Sequence, residues 1–377
     1  MSDQEIHEGL EGITVAETRL SFIDGEAGEL VIGGYPLAEI GTSATFEETL
    51  YLLYNDRLPT QSELDEFSAE LAQYRSLPDG CLEVVRSAGE AGASPMDAMR
   101  MGAAAASLDQ EDEDPERDKL VIVARLPTIV AAYWRARNGE EPLEPREDLS
   151  HAGNYLYMLT GEEPSDAQVG GLEAYLNTVV DHGLNASTFT GRVIVSTESD
   201  LYSAVTGAIG ALKGPLHGGA PGPVLQMLLD MYESGDVEGV LRKKLDAGER
   251  LMGFGHRVYK VRDPRAEVLS TAAESFYQED GDSEFFDLAK TVEDEAVDLL
   301  EEYKPGRRLD TNVEFYTAVL LHGIGIPDEL FTTTFGIARA GGWTAHCLEQ
   351  LENNRLMRPR GKYVGEKDRT WTPVAER

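Results

Sequence analysis

Ser165-Asp-Ala-Gln-Val-Gly-Gly-Leu-Glu-Ala-Tyr-Leu-Asn-Thr-Val-Val-Asp-His-Gly183 is the stretch that sets the fold class. Leu172, Tyr175, Leu176, Val179 and Val180 fall at i, i+3, i+4, i+7 and i+8, a single apolar stripe. That period predicts a helix over 165–181, buried on one face and ending at Asp181-His182-Gly183. The same spacing predicts helices at 118–137, 200–212, 223–234, 237–247, 265–278, 284–303, 313–322 and 332–353. Earlier helices are expected at Thr45–Tyr54, Ser62–Tyr74 and Pro95–Leu108, the first behind a threonine cap. Strand signals occur at Arg19-Leu-Ser-Phe-Ile23 and Glu29-Leu-Val-Ile32, flanking the turn pair Asp24-Gly25. The expected fold is mainly α, with a small N-terminal β hairpin.

Composition narrows the function. The 377 residues carry 68 Asp plus Glu against 33 Lys plus Arg, a formal charge of −35. Such a charge repels nucleic acid and anionic membrane surfaces. Disorder is excluded by the 41% hydrophobic content and its helical period. Of the basic residues 24 are Arg and 9 are Lys, as expected of a chain kept hydrated in high salt. Molar salt shortens the Debye length to about 3 Å and relieves self-repulsion. Cys81 and Cys347 are too far apart in sequence to suggest a disulfide framework or metal cluster. No run of eighteen apolar residues occurs, and the first ten residues are acidic where a signal peptide would be basic; a cytoplasmic protein is expected. The charged run 109–118 reads as a solvated interhelical loop rather than a calcium loop.

Three of the seven histidines sit in glycine-bounded segments: Asp181-His182-Gly183, Pro215-Leu-His217-Gly-Gly219 and Gly253-Phe-Gly255-His256-Arg257. Each alone reads as a helix cap or polar corner; together they suggest a site in which imidazoles exchange protons near a close backbone. Their spacing lacks a zinc pattern. Arg257, Lys260, Arg262 and Arg265 follow the third segment, with Arg339, Arg358 and Arg360 further on. Guanidinium groups of this kind bind carboxylate or phosphate bidentately, although surface ion pairing accounts for Arg262 and some others. In Asp310-Thr-Asn-Val-Glu-Phe-Tyr316, Asn312 caps a helix and places Glu314 in its first turn, as a general base or an ordinary first-turn acid.

Taken in order, these segments resemble the citrate synthase family, in its short archaeal and bacterial form. The likeness rests on Ser21-Phe-Ile-Asp-Gly-Glu-Ala-Gly-Glu-Leu, Asp181-His182 with Asn185-Ala-Ser-Thr, and Gly214-Pro-Leu-His-Gly-Gly-Ala220. It continues through Gly253-Phe-Gly-His-Arg-Val-Tyr-Lys, Asp263-Pro-Arg265, Arg339-Ala-Gly-Gly-Trp343, Arg358-Pro-Arg360 and Tyr363-Val-Gly365. The resemblance implies a two-domain helical homodimer: a large domain of 1–218 with 324–377, a small domain of 219–323, and an active site in the cleft between them. It implies condensation of acetyl-CoA with oxaloacetate, acetyl-CoA being a co-substrate and no cofactor being permanently bound. By position, His182, Arg265, Arg339 and Arg358 match oxaloacetate-binding residues, Arg358 reaching across the dimer interface. His217 matches the histidine that stabilises the enol, and His256 the donor to the oxaloacetate carbonyl. Gly253, Phe254, Gly255, Arg257 and Lys260 match part of the coenzyme A site.

The chain departs from the family pattern at the base. The family normally reads Pro-Asn-Val-Asp-Phe-Tyr-Ser where this chain has Thr311-Asn-Val-Glu-Phe-Tyr-Thr317, so Glu314 stands in the place of the catalytic aspartate. One methylene moves a carboxylate by roughly 1 Å, a misplacement that can cost about a hundredfold in rate. Asp310-Thr311 replaces the usual Tyr-Pro, and Ile32-Gly-Gly-Tyr35 lacks the arginine of the matching Tyr-Arg-Gly-Tyr. The competing expectations are a 2-methylcitrate synthase using propionyl-CoA and a weakly active paralogue that senses oxaloacetate or coenzyme A. An acidic helical interaction protein would account for the composition but not for the histidines and arginines.

Overall fold

A computed structural model describes residues 6–218, 221–256 and 258–377. Its strands form one antiparallel sheet near the N-terminus: β1 (Ser21–Asp24), β2 (Glu29–Ile32) and β3 (Tyr35–Pro36), in that order. Ser21 lies opposite Ile32 and Asp24 opposite Glu29. The expected hairpin is therefore present, extended by a short third strand that pairs Tyr35 with Ile32. The turn differs from the sequence reading. Gly28, not Gly25, takes the positive φ (70°), while the Asp24 carboxylate accepts the amides of Glu26 and Ala27.

Helices make up the rest of the described architecture, apart from an isolated bridge between Phe254 and Thr311. The stripe that opened the sequence reading is buried: Leu172, Tyr175, Leu176, Val179 and Val180 are each 0% exposed, in and just past the helix Asp166–Val179. Thr45 and Thr60 cap their helices with full capping boxes, closed by Glu48 and Glu63. The helix Pro115–Arg137 is buried continuously from Asp118 to Tyr133, as a helix packed on every side must be. Around it lie the helices Asp79–Glu90, Pro95–Ala105, His151–Thr160 and Phe331–Glu352. The helices between 221 and 323 pack on one another, and Pro264–Glu279 also lies along Asp166–Val179. No helix among the described residues is long and apolar enough to cross a membrane.

Four helices have no counterpart in the sequence reading: Leu37–Ile40, Asp79–Glu90, His151–Thr160 and Ala186–Val195. The first is a single turn. The other three carry interior glycine, and Ala186-Ser-Thr-Phe-Thr-Gly-Arg-Val-Ile-Val195 is also rich in β-branched residues, so intrinsic propensity is weak. Tertiary packing supplies what propensity lacks, since Ala186–Val195 lies against both Leu201–Leu212 and Phe331–Glu352.

Candidate active site

A cleft of about 600 Å³ gathers His182, His217, His256, Arg265, Glu314 and Arg339, six residues spread over more than 150 positions of sequence. Local structure explains each placement. His182 follows the helix Asp166–Val179 and precedes Gly183 at φ 59°. His217 lies in the turn after Leu201–Leu212, its amide bonded to the Gly214 carbonyl. Arg265 and Glu314 occupy the first turns of helices capped by Asp263 and Asn312. Arg339 projects from the middle of Phe331–Glu352, where Gly342 permits the close crossing; a Cβ there would lie 2.3 Å from the Val180 carbonyl oxygen.

The two arginines are buried differently. Arg265 donates Nε and Nη2 to the Asp263 carboxylate at 3.0 and 2.8 Å. Burial pulls its guanidinium down, but Asp263 holds it above the ordinary arginine range. Arg339 donates Nε to the Val179 carbonyl at 2.6 Å and lies over the Phe335 ring. Burial draws it down to about 10, against the opposing pull of Asp181, so it stays charged at neutral pH. Two guanidinium groups at one end of a half-buried cleft call for an anionic ligand.

The imidazoles are neutral. Burial, reinforced by Arg265 and Arg339, pushes His182 well below its usual range. Burial beside Arg265 brings His256 to about 4. Hydrogen bonds then assign the His256 proton. Its Nδ1 accepts the amides of Val258 and Tyr259, both at 3.1 Å, which leaves the proton on Nε2. That Nε2–H faces Arg265 Nη2 at 3.2 Å, two donors without an acceptor between them. A carbonyl or carboxylate oxygen placed there would satisfy both.

His217 Nε2 lies 2.8 Å from the Ser187 hydroxyl, which also accepts Trp343 Nε1–H at 3.0 Å. The hydroxyl proton has two acceptors, Asn185 Oδ1 at 2.7 Å and His217 Nε2. The second choice leaves the His217 proton on Nδ1, the form that an oxyanion in the cleft would select. Burial pushes the Glu314 carboxyl up to about 7, partly offset by Arg265. It is thus a carboxyl group able to gain or lose a proton near neutrality.

Not every expected residue reaches the cleft. Gly255 lines it, whereas Gly253 and Phe254 pack behind, against Phe315. The Lys260 amide bonds to the Gly25 carbonyl at 2.8 Å. Arg257 lies outside the described residues. Arg358 is exposed in the extended C-terminal stretch and does not line this chain's cleft. Sequence reasoning assigned no role to Ser187, Trp343, Tyr259, Asp263 or Arg250. Ser187, Trp343, Tyr259 and Asp263 all fell inside segments already singled out, but a hydroxyl or carboxylate that acts on another side chain leaves no spacing signal. Arg250 also lines the cleft. Among the described residues no group of three His, Cys, Asp or Glu is placed to hold a metal ion.

Residues 9–360 match the family model described as citrate synthase, C-terminal domain. The chain is 48% identical to the citrate synthase of Haloferax volcanii, over 99% of both chains. The crystal structure of citrate synthase from Pyrobaculum aerophilum superposes with a TM-score of 0.88 at 37% identity, over 98% of this chain and 95% of that one. A citrate synthase from Thermoplasma acidophilum, in ternary complex with carboxymethyl coenzyme A and oxaloacetate, also gives 0.88, at 31% identity over 99% and 100% of the two chains.

Proposed function

The chain belongs to the citrate synthase family, and we propose how its cleft carries out that family's reaction. It condenses acetyl-CoA with oxaloacetate and water to give citrate and free CoA. The observation that carries the reading is the meeting of Glu314, His217 and His256 with two buried guanidinium groups in one cleft.

Arg265, Arg339 and His182 hold the oxaloacetate carboxylates, and the ketone oxygen sits where His256 Nε2–H and Arg265 Nη2 face each other without an acceptor. Glu314 takes a proton from the thioester methyl while His217 donates to the thioester oxygen, so no enolate charge is left unsupported. The enol carbon attacks the ketone carbon, the enol proton returns to His217 as the thioester carbonyl re-forms, and His256 donates to the oxygen that becomes the citrate hydroxyl. Water then cleaves the citryl thioester, giving the carboxylate and the free thiol. The segment Gly253–Lys260 contributes to the coenzyme A site, where Arg250 adds a positive charge at the cleft.

The large domain in this reading comprises 1–218 and 324–377, and the small domain 219–323. Two chains form a homodimer in which Arg358 completes the partner's oxaloacetate site. Its exposure supports that role, as do the exposed apolar side chains further along the same C-terminal stretch, Val364 at 88% and Trp371 at 76%. We place the protein in the cytoplasm. Steady-state assay of Arg358→Ala and of the parent, each sized by gel filtration, tests the assignment. The expected result is a dimer with a sharply raised oxaloacetate KM; an unchanged KM removes Arg358 from the site.

A further inference from the structure

Strand β1 touches the loops of two active-site histidines. At its start, the Ser21 hydroxyl accepts the Gly183 amide at 2.9 Å and also bonds to the Asp181 carboxylate, one residue to either side of His182. Ile23 packs close to Gly183. Just past its end, the Gly25 carbonyl accepts the Lys260 amide at 2.8 Å, in the loop that follows His256. That loop sets Tyr259 against both histidines, its hydroxyl 3.0 Å from His182 Nε2 and its ring 5.0 Å from that of His256.

The Gly25 contact is built for close approach. Gly25 does not take a positive φ, so backbone conformation alone would admit any residue. A Cβ there would nevertheless lie 2.3 Å from the Val258 carbonyl oxygen. At Gly28 a Cβ would lie 2.6 Å from Val261 Cγ2. The hairpin turn thus sits flush on the loop Val258–Arg262. β2 anchors the hairpin through Leu30 and Ile32, at 2% and 0% exposure. From Ser21 to Gly25 an extended strand spans about 13 Å.

We propose that this hairpin is a strut that sets the spacing of His182 and His256, with Ser21 and Gly25 as positioning residues for oxaloacetate. The proposal rests on the reading above that both histidines hold oxaloacetate. Ser21 fixes the His182 loop at one end, and Gly25 seats the Val258–Arg262 loop at the other. Neither residue touches the reacting atoms. Releasing either contact lets the two imidazoles drift apart, and the ligand they share is held less well.

The test uses the full chain, with Gly25→Ala, Ser21→Ala, the double variant, and Glu26→Ala as an exposed control on the same turn. Oxaloacetate Kd, kcat, helicity and hydrogen exchange at the Lys260 amide are measured for each. Gly25→Ala is expected to weaken oxaloacetate about tenfold, lower kcat and speed exchange at Lys260, with helicity retained. Ser21→Ala should weaken oxaloacetate comparably, and the double variant by less than the product of the two, because one cut already frees the strut. Glu26→Ala should match the parent. If Gly25→Ala misfolds, Ser21→Thr must restore what Ser21→Ala loses. Parent-like oxaloacetate binding in folded Gly25→Ala and Ser21→Ala overturns the proposal, as do losses that simply multiply. A parent that binds no oxaloacetate overturns the functional reading itself, and that result is seen before any variant is made.

Discussion

Glu314 carries the most informative substitution in the chain. Its carboxylate stands one methylene further from the backbone than the aspartate usual in its family, in a helix turn fixed by the Asn312 cap. Burial brings it to about 7, so the proposed base is half protonated at neutral pH and fully ionised only above it. Activity should therefore fall as pH drops below about 7, and kcat should recover at higher pH until other groups titrate. Glu314→Asp should keep substantial activity. Its pH–rate profile should show a shifted acidic limb, because the shorter side chain sits at a different depth of the cleft. His217→Ala and His256→Ala should each lower turnover at least about a hundredfold, with helicity and assembly unchanged by circular dichroism and sizing. A near-normal rate in His217→Ala would remove it from the enol step. At this scale the sequence was most legible where chemistry needs a particular side chain. It was silent on Ser187 and Asp263, whose work is to orient another residue.

Among the elements, the helix His151–Thr160 has an N-terminus closed by unusual groups. Glu47 accepts the His151 amide at 2.7 Å, and Ser150 both caps the helix and bonds to Glu173. Burial, with Glu47 close by, pushes Glu173 up to about 8, and burial beside Arg75 keeps His151 neutral at about 3. The folded state thus holds a proton on Glu173 that the unfolded chain releases above about 4.5. Stability is lost as pH rises from there to about 8, at most about 1.4 kcal/mol per pH unit. Glu173→Gln should raise the thermal midpoint at pH 8 and leave it nearly unchanged at pH 4.5; a uniform shift at both would contradict this account. None of this was legible beforehand, because the helix itself was not. Its opening, His151-Ala-Gly-Asn154, carries an interior glycine and so little helical propensity, while the Ser150 cap and the burial of His151 and Tyr155 favour the helix. Long apolar stripes such as 172–180 were legible because burial repeats at the helical period.

The whole molecule carries a charge of −35, and a dimer would bring two such surfaces together. Unscreened repulsion should destabilise the protein in dilute buffer, so the thermal midpoint should rise from roughly 0.1 M to roughly 2 M potassium chloride. A flat or falling midpoint would remove the high-salt interpretation and leave the cleft untouched. The mainly helical class was readable from apolar stripes at the helical period, whereas the meeting of His182, His217, His256 and Glu314 required the folded chain. That convergence, with Glu314 as the base, is the central claim. Its most direct test is steady-state release of CoA from acetyl-CoA and oxaloacetate by the pure protein at roughly 2 M potassium chloride, with Glu314→Gln assayed beside it. The account predicts citrate and free CoA only when both substrates are present, and a loss of at least about a hundredfold in Glu314→Gln at unchanged oxaloacetate affinity. A Glu314→Gln variant that turns over like the parent, or a parent that binds oxaloacetate tightly without releasing CoA, would contradict it.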